Sequence, residues 1–207
     1  MPSHDEKAIQ IMQGFVEGTI DISAFKLEFD NNPAVKKTLA DDPLCPQGTY
    51  YLLPEDKDIV RFLEERRWTT RSEQYGVWGE IRRFLSRYDY PFKPNEYYKE
   101  RYNFLLDIQP RWLDITNEDF LNTQVIAKIP EGLTKAKRIQ WCKARLKELF
   151  KYDKSPPRWI QSAEWPILEG KPLVFRKQIN NIADNERVDY IFYCPETGEE
   201  HIVTQWY

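Results

Sequence analysis

The chain has 207 residues, 41% apolar and 14% aromatic, with 30 basic against 33 acidic side chains. That length suffices for one domain, or one domain with a distinct sub-domain, around a real core, and the composition excludes the low hydrophobicity and high net charge of a disordered chain. No apolar run nears the ~20 residues that span a bilayer, and the opening MPSHDEK lacks the basic end and apolar stretch of a secretory signal.

The first third reads as short helices. Between Asp5 and Glu17, residues Ala8, Ile9, Ile11, Met12, Phe15 and Val16 recur at helical spacing, and Gly18 is placed to stop that helix in a left-handed conformation. Ile22, Phe25 and Phe29 predict a second helix. Pro33, after Asn31 and Asn32, opens a third in which Val35 and Leu39 face inward. The stretch from Asp41 through Pro46 is an irregular connection.

Helices continue through the middle. Residues Asp56 to Arg67 carry Ile59, Phe62 and Leu63 on one side, and Ser72 is placed to cap a helix with Val77, Trp78, Ile81, Phe84, Leu85 and Tyr88 on a wide apolar face. From Asn95 to Ile108 the apolar residues surround the wheel, which predicts a central, buried helix. Residues 110–133 are open to two readings, since Gln124 to Ala127 suits a short strand or the end of a helix begun near Thr116. Thr134 to Tyr152 is the clearest helix, with Ala136, Ile139, Cys142, Leu146, Leu149 and Phe150 on one stripe.

After Ser155-Pro156-Pro157 the apolar period drops to two. Leu173 to Ile179, Val188 to Cys194 and His201 to Tyr207 are rich in β-branched and aromatic residues and bounded by turn residues, among them Gly170 and Gly198. The prediction is an α+β chain. Residues 1–154 form a helical region and residues 155–207 an antiparallel three-stranded meander, packed together as one compact unit. Trp206 and Tyr207 are expected to bury their rings against it.

Motifs that carry chemistry are lacking. His4 lies in a polar tip and His201 on a strand, far apart in sequence, whereas a metal site needs three or four converging ligands. Cys142 falls on an apolar stripe, the setting of an inert thiol. Glycine-rich phosphate loops and nucleophile elbows are missing too. The expectation is no catalytic residue, no metal and no cofactor. Cys45, Cys142 and Cys194, odd in number and irregular in spacing, suit a reducing, cytoplasmic setting with no membrane.

Charge varies along the chain. Residues 1–53 carry four bases against eight acids, residues 54–153 twenty against seventeen, and residues 154–207 six against eight. The middle interleaves cations and rings, as in Arg66-Arg67-Trp68, Arg82-Arg83-Phe84 and Arg101-Tyr102. That pattern supports a nucleic-acid-binding module as one alternative, although nearby glutamates offset the cations. One constellation breaks its helix pattern. Trp141 points away from the apolar stripe, with Lys137, Arg138 and Arg145 on the same face, which suits an interface anchor for an acidic protein partner. A second candidate partner site is the acidic hairpin of Glu196, Glu199 and Glu200.

Two stretches resemble known proteins. Met12 to Ile20 (MQGFVEGTI), with Phe25, Asn32-Pro33 and Leu39, resembles the N-terminal helices of bacterial immunity proteins. Pro157 to Pro166, Gly170 to Phe175, and the Pro195 to Gly198 turn with Gln205 to Tyr207 are similar to the C-terminal block of related small bacterial proteins. The resemblance covers both ends and leaves Tyr50 to Lys154 unmatched. It implies a bacterial cytoplasmic protein that neutralises a cognate toxin domain by occlusion, with no catalytic residue to carry over. A scaffolding domain of a larger assembly is the third reading.

Overall fold

A computed structural model of the chain describes residues 4–40, 59–113, 117–181 and 187–207. Eight α-helices run through them: α1 (Glu6–Glu17), α2 (Ile22–Asn31), α3 (Pro33–Ala40), α4 (Ile59–Glu64), α5 (Arg71–Arg87), α6 (Tyr97–Ile108), α7 (Glu118–Gln124) and α8 (Lys135–Leu149). Five strands follow: β1 (Ile167–Leu168), β2 (Lys171–Pro172), β3 (Val174–Asn181), β4 (Arg187–Tyr193) and β5 (Glu200–Trp206). The expected α+β class holds, with β3, β4 and β5 in an antiparallel sheet in that order. The 41–46 connection, the expected helix start at Asp56, Thr116 and residues 182–186 of the β3–β4 link lie outside the described residues.

The chain forms two compact units, Met1–Asn103 and Phe104–Tyr207. Their boundary falls inside α6, far upstream of the change of period at Pro157.

In the first unit α1 begins at Asp5, whose carboxylate accepts from the Ala8 N–H at 2.9 Å. It ends at Gly18, at φ +82°, where a Cβ would meet the Asn95 side chain. Phe15 and Phe25 stack at 4.3 Å, and Trp68 closes over Phe25 and Phe29. The Trp68 indole N–H donates to the Leu63 carbonyl at 2.8 Å, so the ring is buried without orphaning its donor. Thr70 caps α5, in a reciprocal box with Glu73, where the sequence suggested Ser72. His4 is not a surface residue of a polar tip. Its ring lies against Tyr88 at 4.4 Å, and Nδ1 bonds the Tyr90 hydroxyl at 2.8 Å.

Glu80 is buried within that apolar face of α5 and pairs with Arg83 at 2.5 Å. Burial pushes its pKa above the ordinary carboxylate value, against the opposing pull of Arg83, Arg66 and Arg87. Among the described residues it is a buried acid within an arginine-rich stretch.

The second unit has an aromatic core. Trp165 contacts Trp112, Phe150, Phe175 and Phe192, and its N–H donates to the Leu173 carbonyl at 2.8 Å. Of the two readings for Gln124 to Ala127 the helical one holds: α7 ends at Gln124 and a 3-10 turn follows at Ile126–Lys128, with Leu121 and Val125 in this core. Helix α6 is not buried all round: Tyr97 and Leu106 are exposed, while Tyr98 enters the first core and Phe104, Leu105 and Ile108 the second.

The sheet places Val188, Tyr190 and Phe192 on its inner face, with the hairpin of β1 and β2 beside it in sequence. Contrary to expectation, Trp206 and Tyr207 are exposed, and Gln205 is the buried residue of that end. Alternation decides this: Gln205 pairs with Val188 on the inner face, so Trp206 turns outward. The Gln205 amide accepts from the Gln161 N–H at 3.1 Å and donates to the Ser162 carbonyl at 2.6 Å.

Gln205→Ala is therefore expected to cost about 1–3 kcal/mol, because it strands both backbone partners. Removal of Tyr207 alone should stay within about 0.5 kcal/mol, as for other exposed positions. Parallel urea melts check the pair. For Glu80, a raised folded pKa means the protonated fold is favoured. That stabilisation is complete below the ordinary value of 4.5 and is lost as pH rises through the folded value. Glu80→Gln should flatten the fall in stability above that pH, measured by thermal melts across the carboxylate range.

Candidate functional site

Helix α8 starts at Thr134, whose hydroxyl accepts from the Lys137 N–H at 3.4 Å. Cys142 and Leu146 are its buried residues, with Ile139 and Leu149 half-buried beside them. Trp141 precedes Cys142 by one residue, about 100° round the wheel. It therefore sits on the flank of the buried stripe and not opposite it, and its half-buried ring packs against the second core.

The three cations placed around Trp141 are in different states. Arg138 is exposed, with its guanidinium 5.3 Å over the Phe104 ring. Arg145 pairs with Glu148 at 3.0 Å, a surface bridge worth little. Lys137 is exposed and makes no ion pair to a described residue. Sequence reasoning missed Lys143 and Lys147, which are also exposed and lie on the solvent side. Altogether α8 carries Lys135, Lys137, Arg138, Lys143, Arg145 and Lys147 against the single acid Glu148. The composition of residues 135–149 held that signal, but averaging charge over residues 54–153 diluted it.

The basic and aromatic pairs of the first unit are spent internally. Trp68 and Phe84 are buried, Arg66 stacks on Phe62 at 4.1 Å, and Arg82 lies 5.2 Å over Trp78. Those rings cannot act as stacking platforms for bases.

The second candidate, the β4–β5 hairpin, turns at Gly198 with φ +74° and closes through Gly198 N–H to the Cys194 carbonyl at 2.8 Å. Glu196 is paired with Lys171 at 2.5 Å, and Glu200 with Arg176. Glu199 is exposed, so two of the three acids are already offset within the fold.

That turn also holds a group the sequence did not single out. The Cys194 thiol takes a hydrogen bond from the Thr197 hydroxyl and from the backbone N–H groups of Thr197 and Glu196, which together hold its pKa below the ordinary thiol value. A cysteine opening a Cys-Pro-Glu-Thr-Gly turn was the available signal. Among the described residues no three His, Cys, Asp or Glu side chains gather to hold a metal ion, and no helix is long and apolar enough to cross a membrane.

Compared with known proteins, the chain matches no family model, no curated protein and no solved structure. Cys194, partly exposed, should react with iodoacetamide ahead of the buried Cys142. Thr197→Val should shift the pH midpoint of the Cys194 rate upward, read by mass spectrometry of the labelled peptides.

Proposed function

We propose that this chain is a binding protein that acts by covering a partner's surface, in the manner of a bacterial immunity protein occluding a toxin domain. The observation that carries the proposal is the charge of α8, six cations against one acid on a helix whose outer face is open to solvent. A surface of that sign favours an acidic partner, speeds encounter and fixes register. Trp141, half-buried at the margin, supplies apolar area next to the cations. The resemblance at both ends of the chain supports the immunity reading, and cytoplasmic location follows from that role.

The same charge favours a second reading, in which α8 lies against nucleic-acid phosphates. Salt separates the two. Phosphate neutralisation makes log affinity fall linearly with log salt, steeply when several lysines take part. A protein interface with an apolar centre retains most of its affinity and loses mainly association rate.

The test is binding to candidate toxin domains encoded by neighbouring genes, with a single-stranded oligonucleotide as comparison, titrated at two salt concentrations. Lys143→Glu with Lys147→Glu should weaken toxin binding at least tenfold without changing the melt, about 1.4 kcal/mol in binding. Trp141→Ala should lower both affinity and stability, the latter by about 1–3 kcal/mol, since its ring also packs on the core. Charge reversal on α8 that leaves toxin binding intact would remove the proposal, and a steep salt slope on the oligonucleotide alone would favour the second reading.

A further inference from the structure

Helix α5 and the chain leading into it bring three arginines to one carboxylate. At about 100° per residue, Gly76, Glu80, Arg83 and Arg87 fall within about 60° of one another, along one flank of the buried face of α5. The Arg66 guanidinium reaches the same flank from the turn after α4. It stacks on the Phe62 ring at 4.1 Å and lies against the open backbone of Gly76, where a Cβ would stand 3.7 Å from Nη1. Arg83, Arg66 and Arg87 all act on Glu80. Three guanidinium groups therefore face one buried carboxylate, an excess of two positive charges with Glu80 ionised and of three with it protonated.

That carboxylate does not satisfy them. Arg83 Nη2 donates to Glu80 Oε1 at 2.5 Å, yet Arg83 Nη1 is buried without an acceptor, and so is Arg66 Nε. Arg66 makes no ion pair to a described residue. The acids beside it in sequence are used elsewhere: Glu64 pairs with Lys36 at 2.7 Å and Glu65 with Arg61 at 3.2 Å. Glu73, the remaining acid on this side of α5, accepts from the Thr69 and Thr70 N–H groups at 3.3 and 3.2 Å. Stacking on Phe62 covers the face of the Arg66 guanidinium and leaves its edge, where the N–H groups point, unbonded. Buried donors without acceptors are uncommon in a folded chain, and these call for a water or an ion that the chain does not supply. The surplus of positive charge selects an anion.

We infer that Arg66 and Arg83 form a site for a small, free tetrahedral oxoanion of the sulfate or phosphate class, on the flank of α5 beside Glu80. A guanidinium fork presents paired N–H groups that match two oxygens of such an ion. The orphan nitrogens are buried, so the group that reaches them is small and is not carried on a polymer. The Arg83 side chain is 34% exposed, which leaves an approach from solvent. Glu80 and the anion compete for the same guanidinium. Burial pushes the Glu80 carboxyl above its ordinary value, against the pull of Arg83, Arg66 and Arg87. Its protonation frees Arg83 Nη2 for the anion, so anion binding and proton uptake at Glu80 support one another. Affinity for the anion therefore rises as pH falls through the folded value of Glu80. This inference does not rest on the α8 proposal, whose residues belong to the second unit.

Sulfate is the probe, because it keeps its charge across the carboxylate range, and chloride at equal ionic strength is the reference. Titrated into isotope-labelled protein near neutral pH, sulfate should shift the Arg66 and Arg83 side-chain N–H signals saturably in the millimolar range, whereas chloride should not saturate them. Arg66→Met keeps an apolar chain on Phe62 without the charge and should weaken binding roughly tenfold. Glu80→Gln should tighten binding about threefold or more at neutral pH, because the competing charge is gone. It should also abolish the rise in affinity that the wild-type chain shows as pH falls into the carboxylate range. Lys143→Glu with Lys147→Glu is the control for diffuse attraction to α8 and should leave sulfate binding unchanged. The inference is overturned if the two arginine signals of the wild-type chain do not saturate with sulfate, a reading that needs no variant to fold. It is equally overturned if Glu80→Gln fails to tighten binding, or if the α8 reversal removes sulfate binding that Arg66→Met leaves intact.

Discussion

Trp165 is the residue on which the second unit depends. Its indole lies between Trp112, Phe150, Phe175 and Phe192, so one ring touches residues that precede α8, end it, and line two strands. A flat ring fills such a space only in particular orientations, and its buried N–H needs an acceptor. The Leu173 carbonyl supplies it at 2.8 Å, just before β3 begins. The same requirement recurs at Trp68 with Leu63, Trp78 with Val16, and Trp159 with Trp112. In each case a backbone carbonyl is held where the indole needs it, so aromatic packing here also specifies direction.

This use of rings explains the surface. Arginines stack over Phe62, Trp78, Tyr97, Phe104, Tyr193 and Trp206, where the cation finds the face of a ring. What reads in the sequence as cations and aromatics displayed together is largely a matter of cations covering rings. The exposed lysines of α8 stand apart from that pattern. Lys137, Lys143 and Lys147 make no ion pair to a described residue, and they give the second unit a face of one sign.

The sheet extends the contrast between used and open groups. On its inner face even a polar residue, Gln205, is buried because its amide satisfies the backbone at Gln161 and Ser162. Its β3 edge is bulged and covered, whereas the β5 edge runs straight to Trp206.

Periodicity and turn residues determined most element types, though not that of Gln124 to Ala127: the helical stretches, the switch to strands after Pro157, the stop at Gly18 and the turn at Gly198 are local properties of the chain. The basic character of α8 was equally local, though hidden by a long averaging window. Only the tertiary structure decided which flank of α8 meets the core, and so made Trp141 a half-buried packing residue. It also placed Gln205 inward and Trp206 outward, because strand phase follows from pairing with β4 and not from hydrophobicity. The environments of Glu80, His4 and Cys194 depend on residues that meet through folding or through the exact path of a turn. Such convergence has no period, and so a sequence read along its length does not display it.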